Sequence, residues 1–266
     1  MKGIVFVALL FCSSVCLADG MIVPVQRTQD GRPLFDRAIP MPEIRIHRVE
    51  ARIEGGVAHT EVDQVFYNSH SRTIEGMYIF PLPRGASVSG FSMFVDGTEV
   101  TGELLDREEA SAIYERIVRE RLDPAILEYV GTNIFRARVF PFEASSEKRV
   151  KISYDMVLER AGSTYEYVYP LSTEQFSPVP LDEVVVEVNV RSDRPLSNIF
   201  SPTHEVEISK TDEVTYVATY EESGVTPDID FQLFFDIPDD DVGFSVLPYK
   251  EEGEDGFFIA LISPRY

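Results

Sequence analysis

Tryptophan is absent from this 266-residue chain, and cysteine occurs only twice, at Cys12 and Cys16. Both lie in an N-terminal apolar stretch that reads as a removable leader. The chain beyond it therefore has no disulfide, no thiol nucleophile and no cysteine-ligated metal. Basic charge is scarce: 24 Lys and Arg stand against 45 Asp and Glu, a formal net charge of −21. Nucleic acids and anionic membrane surfaces need clustered cations, so neither is an expected partner. No apolar run reaches the ~20 residues of a membrane-spanning helix. The sequence also lacks G-x-S-x-G, a P-loop, G-x-G-x-x-G, H-E-x-x-H and Asn-x-Ser/Thr, and so offers no motif for serine hydrolysis, nucleotide binding, zinc peptidase chemistry or N-glycosylation.

What is present begins with the leader. Lys2 supplies a positive flank, Gly3 to Phe11 is a short apolar segment, and Cys16-Leu17-Ala18 ends on a small residue before Asp19. This is the pattern of a secretory signal peptide cleaved after Ala18. A lipid anchor would need a small residue before its cysteine, but Phe11 and Val15 stand there. The protein is expected to be secreted or held in the cell envelope, and a cysteine-free exported chain suits a bacterial periplasm or surface.

Asp19 to Pro42 reads as an extended lead-in, broken by Asp30-Gly31 and Pro40-Met41-Pro42. Regular structure is predicted to follow. Ile44–Ile53, the Glu54-Gly55-Gly56 turn and Val57–Tyr67 form a hairpin. Met77–Phe80 and Phe91–Val95 are strands, and Asp96-Gly97 turns into a return strand, Thr98–Leu104. Asp106 to Arg121 is the one predicted helix. Asp106 and Glu109 make a capping pair, Ala110, Ile113, Tyr114, Ile117 and Val118 form one apolar stripe, and Asp123-Pro124 ends it.

Beyond the helix the period becomes two. Val150, Ile152, Tyr154, Met156 and Leu158 alternate with their neighbours, as do Val184 to Val190 and Ile229 to Ile237. Thr215–Tyr220 is a further strand. Short strands with one buried face, turn signals between them and one helix predict a mostly β fold, an antiparallel β-sandwich with one packed α-helix. Residues 161–249 are either an extension of the first sandwich or a second β domain. The acidic segment 250–256 reads as a linker, followed by the start of another buried strand at Phe257–Ile262.

Four segments in order carry a resemblance. They are Glu75-Gly76-Met77-Tyr78-Ile79-Phe80-Pro81-Leu82-Pro83, then Asp106-Arg107-Glu108-Glu109-Ala110-Ser111-Ala112-Ile113-Tyr114-Glu115, then Ile126-Leu127-Glu128 with Ile134-Phe135-Arg136-Ala137-Arg138-Val139-Phe140-Pro141-Phe142, then Lys151-Ile152-Ser153-Tyr154. Together they resemble a VIT domain, the module named after vault protein and the inter-alpha-trypsin inhibitor heavy chains. The resemblance places such a domain over residues 43–160. It implies an exported, non-catalytic binding or scaffold protein, associated with a surface or matrix. Many members continue into a von Willebrand type A domain with an Asp-x-Ser-x-Ser metal motif. That motif is absent from this sequence, so metal-dependent adhesion is not assigned to these residues.

The candidate chemistry is thin. His47 and His59 would face each other across the first hairpin if they were paired, a weak zinc reading with no third ligand; His70 and His204 complete the histidines. Glu128, Asp155, Asp228 and Asp230 supply carboxylates, yet no spacing selects a glycosidase pair; Glu128 is expected to bond Arg136 or Arg138 instead. Asp239-Asp240-Asp241 invites a calcium reading, but consecutive acids point apart along an extended chain, so a solvated turn is expected. No metal or cofactor is assigned. Tyr165, Tyr167 and Tyr169 fall at i, i+2 and i+4 on one strand face and form the candidate binding stripe, for a protein or carbohydrate partner. The alternatives are an exported hydrolase of surface polysaccharide or peptide, and the N-terminal part of a larger von Willebrand type A adhesin.

Overall fold

The computed structural model describes residues 20–27, 33–36, 38–95, 97–101, 134–172, 177, 179–238, 242–249 and 257–264. The leader, the helix expected at Asp106–Arg121, the Ile126–Val130 segment, Asp239–Asp241 and the acidic linker lie outside them.

In chain order the strands open with β1 (Met21–Arg27), β2 (Pro33–Phe35), β3 (Glu43–Glu54), β4 (Val57–Tyr67), β5 (Ile74–Pro81), β6 (Ser87–Val95) and β7 (Thr98–Thr101). Next come β8 (Ile134–Phe142), β9 (Glu147–Val157), β10 (Glu159–Ala161), β11 (Thr164–Tyr169) and β12 (Glu183–Arg191). The last are β13 (Asn198–Phe200), β14 (Glu207–Lys210), β15 (Thr215–Glu222), β16 (Phe231–Asp236), β17 (Val242–Tyr249) and β18 (Phe257–Pro264).

The fold is mostly β and its sheets are predominantly antiparallel. One sheet runs β14-β15-β12-β3-β4-β9-β6-β7, and two four-stranded sheets run β2-β1-β5-β8 and β10-β11-β16-β13. β17 and β18 pair with each other. The expected hairpin is present: Glu54 pairs with Val57, leaving a two-residue loop. Both loop residues, Gly55 and Gly56, have positive φ, 57° and 79°. A two-residue hairpin turn of this hand requires that geometry, and only glycine adopts it freely.

Alternation decides which side of the long sheet is dry. Along β4, Ala58, Thr60, Val62, Gln64 and Phe66 are buried while their neighbours face outward. Both four-stranded sheets cover this same face. Phe66 meets Tyr78 of β5 edge to face, ring centroids 6.1 Å apart, and Thr60 bonds the Tyr167 hydroxyl of β11 at 3.1 Å. The core is thus continuous from Phe80, Phe91 and Tyr154 under one small sheet to Val186, Tyr169 and Phe231 under the other.

A buried polar chain crosses the centre of this core. The Tyr78 hydroxyl donates to Gln64 Oε1 at 2.8 Å. The Gln64 amide nitrogen donates to the Gly20 carbonyl at 3.3 Å and to His47 Nδ1 at 3.1 Å. His47 therefore carries its proton on Nε2, which donates to the Tyr169 hydroxyl at 2.9 Å. One glutamine and one histidine so tie the lead-in, the long sheet and both covering sheets together.

Two expectations are corrected. Regular structure begins within the extended lead-in and not after it: β1 is the second strand of its sheet, paired with β5 from Met21 to Val25, and Met21, Ile22 and Val23 are buried. Pro24 costs little there because its carbonyl accepts from Asp36 N at 2.9 Å, while the Asp36 carbonyl, which an N–H at Pro24 would have served, takes Ile39 N at 3.3 Å instead. Ile229 lies outside β16 and is 51% exposed, so the buried alternation starts at Phe231. The last strand-rich part is also joined to the first, since β12 pairs in parallel with β3 along its whole length, Glu183 with Ile46 through Arg191 with Glu54.

Candidate functional site

The tyrosine stripe faces inward. Tyr167 and Tyr169 are fully buried, holding Thr60 and His47 respectively, so they are core residues and offer no surface to a ligand. The two-residue period put them on one face correctly, but that face is the one pressed on the long sheet. Burial raises the Tyr167 hydroxyl pKa above its usual range. Only Tyr165 is half-buried, at the end of the stripe where the sandwich opens.

The histidines do not converge. His47 pairs with Gln64 and His59 with Arg52, so the two are not opposed, and they project to opposite faces of the long sheet. His59 Nδ1 bonds Asp155 Oδ1 at 2.7 Å on the outer face. Asp155 also accepts from Ser89, and these two bonds, His59 first, hold its carboxyl below the ordinary range. The serine is thus directed at the carboxylate and not at the imidazole, the reverse of a nucleophile–base–acid relay. The His70 ring accepts from the Arg72 backbone at 3.2 Å. His204 stacks edge-on to Tyr220 at 4.5 Å; burial lowers its pKa, opposed by Glu222 and Asp228. Among the described residues no group of three His, Cys, Asp or Glu is placed to hold a metal. Arg138 pairs with Glu75 at 2.8 Å, whereas Glu128 lies outside the described residues.

Two surfaces stand out. The first is the outer face of the long sheet, where strand register sets unlike charges opposite or diagonal to one another. Arg48 bonds Glu183 at 2.5 Å, Lys151 bonds Glu61 at 2.7 Å, and Arg149 grips both oxygens of Asp63. The Arg149 guanidinium also lies 4.5 Å from the Phe94 ring centroid. Such cross-strand pairs contribute roughly 0.2–1 kcal/mol each. Arg48, Arg52 and Val157 are exposed on this face, and the edge strands β7 and β14 are exposed throughout.

The second is a cleft of about 450 Å³ at the end of the sandwich beside the β3–β4 turn. Arg160 of β10, Tyr165 of β11, Arg191 of β12 and Arg194 just beyond it line the cleft with Glu54 and Asp193. Tyr165 is held as its wall: it stacks on Phe235 with centroids 5.3 Å apart and planes 6° from parallel, and Arg160 lies 5.2 Å from its centroid. A Cβ at Gly56 would come within 2.9 Å of the same ring, so the turn glycine also serves this packing. Sequence reasoning reached Tyr165 but none of the three arginines, which have no shared local pattern.

Next to the cleft, Glu166 is set opposite Glu159 across the β10–β11 pair. Burial, and then the Glu159 charge, raise the Glu166 pKa. A carboxyl that ionises at higher pH in the folded than in the unfolded chain weakens the fold once ionised. The penalty is absent at low pH and grows as pH rises above the ordinary value of 4.5. Glu166→Gln is expected to stabilise the protein at pH 7 by a few tenths to ~1 kcal/mol, and to leave it unchanged at pH 3. Thermal melts at both pH values check this; equal shifts at both would contradict it.

Comparison with known proteins places this geometry. Residues 44–154 match the vault protein inter-alpha-trypsin (VIT) domain family. The chain is 25% identical over 207 residues to human protein mono-ADP-ribosyltransferase PARP4, covering 70% of this chain and 12% of that protein. The mouse counterpart is 30% identical over 117 residues, covering 44% of this chain and 6% of that one. Human inter-alpha-trypsin inhibitor heavy chain H4 is 26% identical over 128 residues, covering 48% and 14%. The chain thus spans 6 to 14% of the length of these relatives.

Proposed function

Residues 44–154 being a VIT domain, we propose that this chain is an exported, non-catalytic interaction and scaffold protein whose partner docks on the outer face of the long sheet. The leader pattern of residues 1–18 supports export. The single observation that carries the docking reading is the outer face itself, eight strands wide, with exposed Arg48 paired across strands to Glu183 and exposed Arg52 paired along β3 to Glu50. Paired charges on a rigid sheet give orientation and partner choice more than raw affinity. The partner that fits is a folded protein with a complementary mixed-charge surface.

The body presenting this face is proposed to be one folding unit that extends past the VIT match. β12 and β15 belong to the same sheet as β3 and β4, and the Tyr167, Tyr169 and Phe231 core continues the Phe80 and Tyr154 core. Binding is favoured over turnover because, among the described residues, His47, His59, His204, Asp155 and Asp230 each hold separate partners and do not converge on one cleft.

The test uses the purified exported chain. Its sedimentation with envelope or surface material from the source cells is measured for wild type and for Arg48→Glu/Arg52→Glu, at low and high salt. The reading predicts salt-sensitive association lost in the variant, with no turnover across glycosidase, esterase and peptidase substrates. Turnover abolished by one carboxylate or histidine substitution would instead support the exported-hydrolase alternative.

A further inference from the structure

Building on the docking reading of the outer face, we propose that its partner is a second copy of this chain, held face to face about a two-fold axis that crosses β3 at Ala51. The order of charges along β3 leads to this assignment. Its outward residues Arg48, Glu50, Arg52 and Glu54 alternate in sign, and all four side chains reach solvent. An axis running across the strands, between the two copies, sets β3 antiparallel to its counterpart. Residues equally far from Ala51 on either side then meet. Arg48 meets Glu54 of the second copy, Glu50 meets Arg52 of the second copy, and two-fold symmetry makes each contact twice. Arg52 already bonds Glu50 along β3, so the two copies bring two such pairs head to tail.

The flanking strands obey the same axis. Ala51 pairs with Val188 of β12 and with Thr60 of β4, and Thr60 pairs with Tyr154 of β9. Glu187 therefore meets Asn189, His59 meets Glu61, Ser153 meets Asp155 and Lys151 meets Val157. Within three residues of the axis on each of these four strands, no two like charges are opposed. The net charge of −21 opposes self-association. At physiological salt, however, exposed charges more than ~8 Å apart are largely screened, so the contacts near the axis decide. β3 is the fourth of eight strands, which puts the axis near the middle of the sheet. The five strands from β15 to β9, at ~4.8 Å spacing and with ~9 residues of ~3.3 Å each, form a patch of roughly 700 Å² per copy. A standard specific interface takes about 800 Å² from each partner.

The experiment is sedimentation-velocity ultracentrifugation of the purified exported chain alone, over a range of concentrations at physiological ionic strength. The expected result is a concentration-dependent equilibrium between monomer and dimer. Glu50→Arg and Arg52→Glu should each weaken dimerisation at least tenfold, because each sets like charges opposite one another twice. The double variant Glu50→Arg/Arg52→Glu exchanges the two signs and should restore the dimer. Mixing the two single variants should also give a dimer, since every residue at positions 50 and 52 then faces an opposite charge. Rescue in the mixture shows that neither single variant lost dimerisation by misfolding. A chain that stays monomeric, a dimer indifferent to the single variants, or a loss restored neither by the double variant nor by mixing would each overturn the proposal. A monomeric chain that still associates with envelope material overturns the second-copy assignment alone and leaves the docking reading of the outer face standing.

Discussion

Phe80→Ala is expected to lower the unfolding free energy by about 3–5 kcal/mol, the cost of truncating a buried aromatic in a close-packed core. Phe80 is fully buried beneath the long sheet, with its ring centroid 5.8 Å from that of Tyr154 and 6.3 Å from that of Tyr78. Typical domains are stable by only 5–15 kcal/mol, so the variant should sit near its unfolding threshold. Val157→Ala provides the contrast. Val157 is 76% exposed on the outer face, and its loss should stay within about 0.5 kcal/mol. Urea melts of the two variants compare them directly; similar midpoints would mean that Phe80 does not anchor the sandwich.

The second large effect is expected at Gln64. Gln64→Leu removes, inside the core, the acceptor of the Tyr78 hydroxyl and the donor to the Gly20 carbonyl and His47 Nδ1. Each buried polar group that loses a partner costs about 1–3 kcal/mol, so the total should exceed 2 kcal/mol even with relaxation. The variant should also be coupled to His47. In a double-mutant cycle, Gln64→Leu/His47→Leu should cost clearly less than the sum of the singles, because the Gln64–His47 bond is lost only once. Additive losses would show that the two side chains do not share one network.

These residues also mark what could be read from the sequence. The inner faces of β9 and β12 were legible because Val150, Ile152 and Tyr154, and Val184, Val186 and Val188, alternate with outward neighbours, and a strand's period of two is a local property. The β3–β4 hairpin was legible because Gly55-Gly56 is a local turn signal. The VIT segment was legible because its motifs occur in order. β1 was obscured by Pro24, which ordinarily argues against an inner strand; it is tolerable because the Asp36 carbonyl across from it takes Ile39 N instead. The fate of the tyrosine stripe was hidden for a different reason. Alternation shows that Tyr165, Tyr167 and Tyr169 share a face but not whether another sheet covers it. His47 and His59 were misplaced by register, since the Gly55-Gly56 turn pairs His59 with Arg52. The arginine cleft was invisible because Arg160, Arg191 and Arg194 are joined only by long-range strand pairing. The parallel β12–β3 pairing has no local signature either, and it brings Arg191 beside Glu54.

That pairing underlies the view of the chain as one scaffold. Native-state hydrogen exchange across the β3–β12 seam tests it most directly. The account predicts that core amides of β3 and β4 and those of β12 and β15 exchange only through the same global opening, with one common free energy and one common denaturant dependence. If the β12 and β15 amides exchange through a separate opening of lower free energy while β3 and β4 stay protected, the strands beyond the VIT match are an independent unit and the single-scaffold account is wrong.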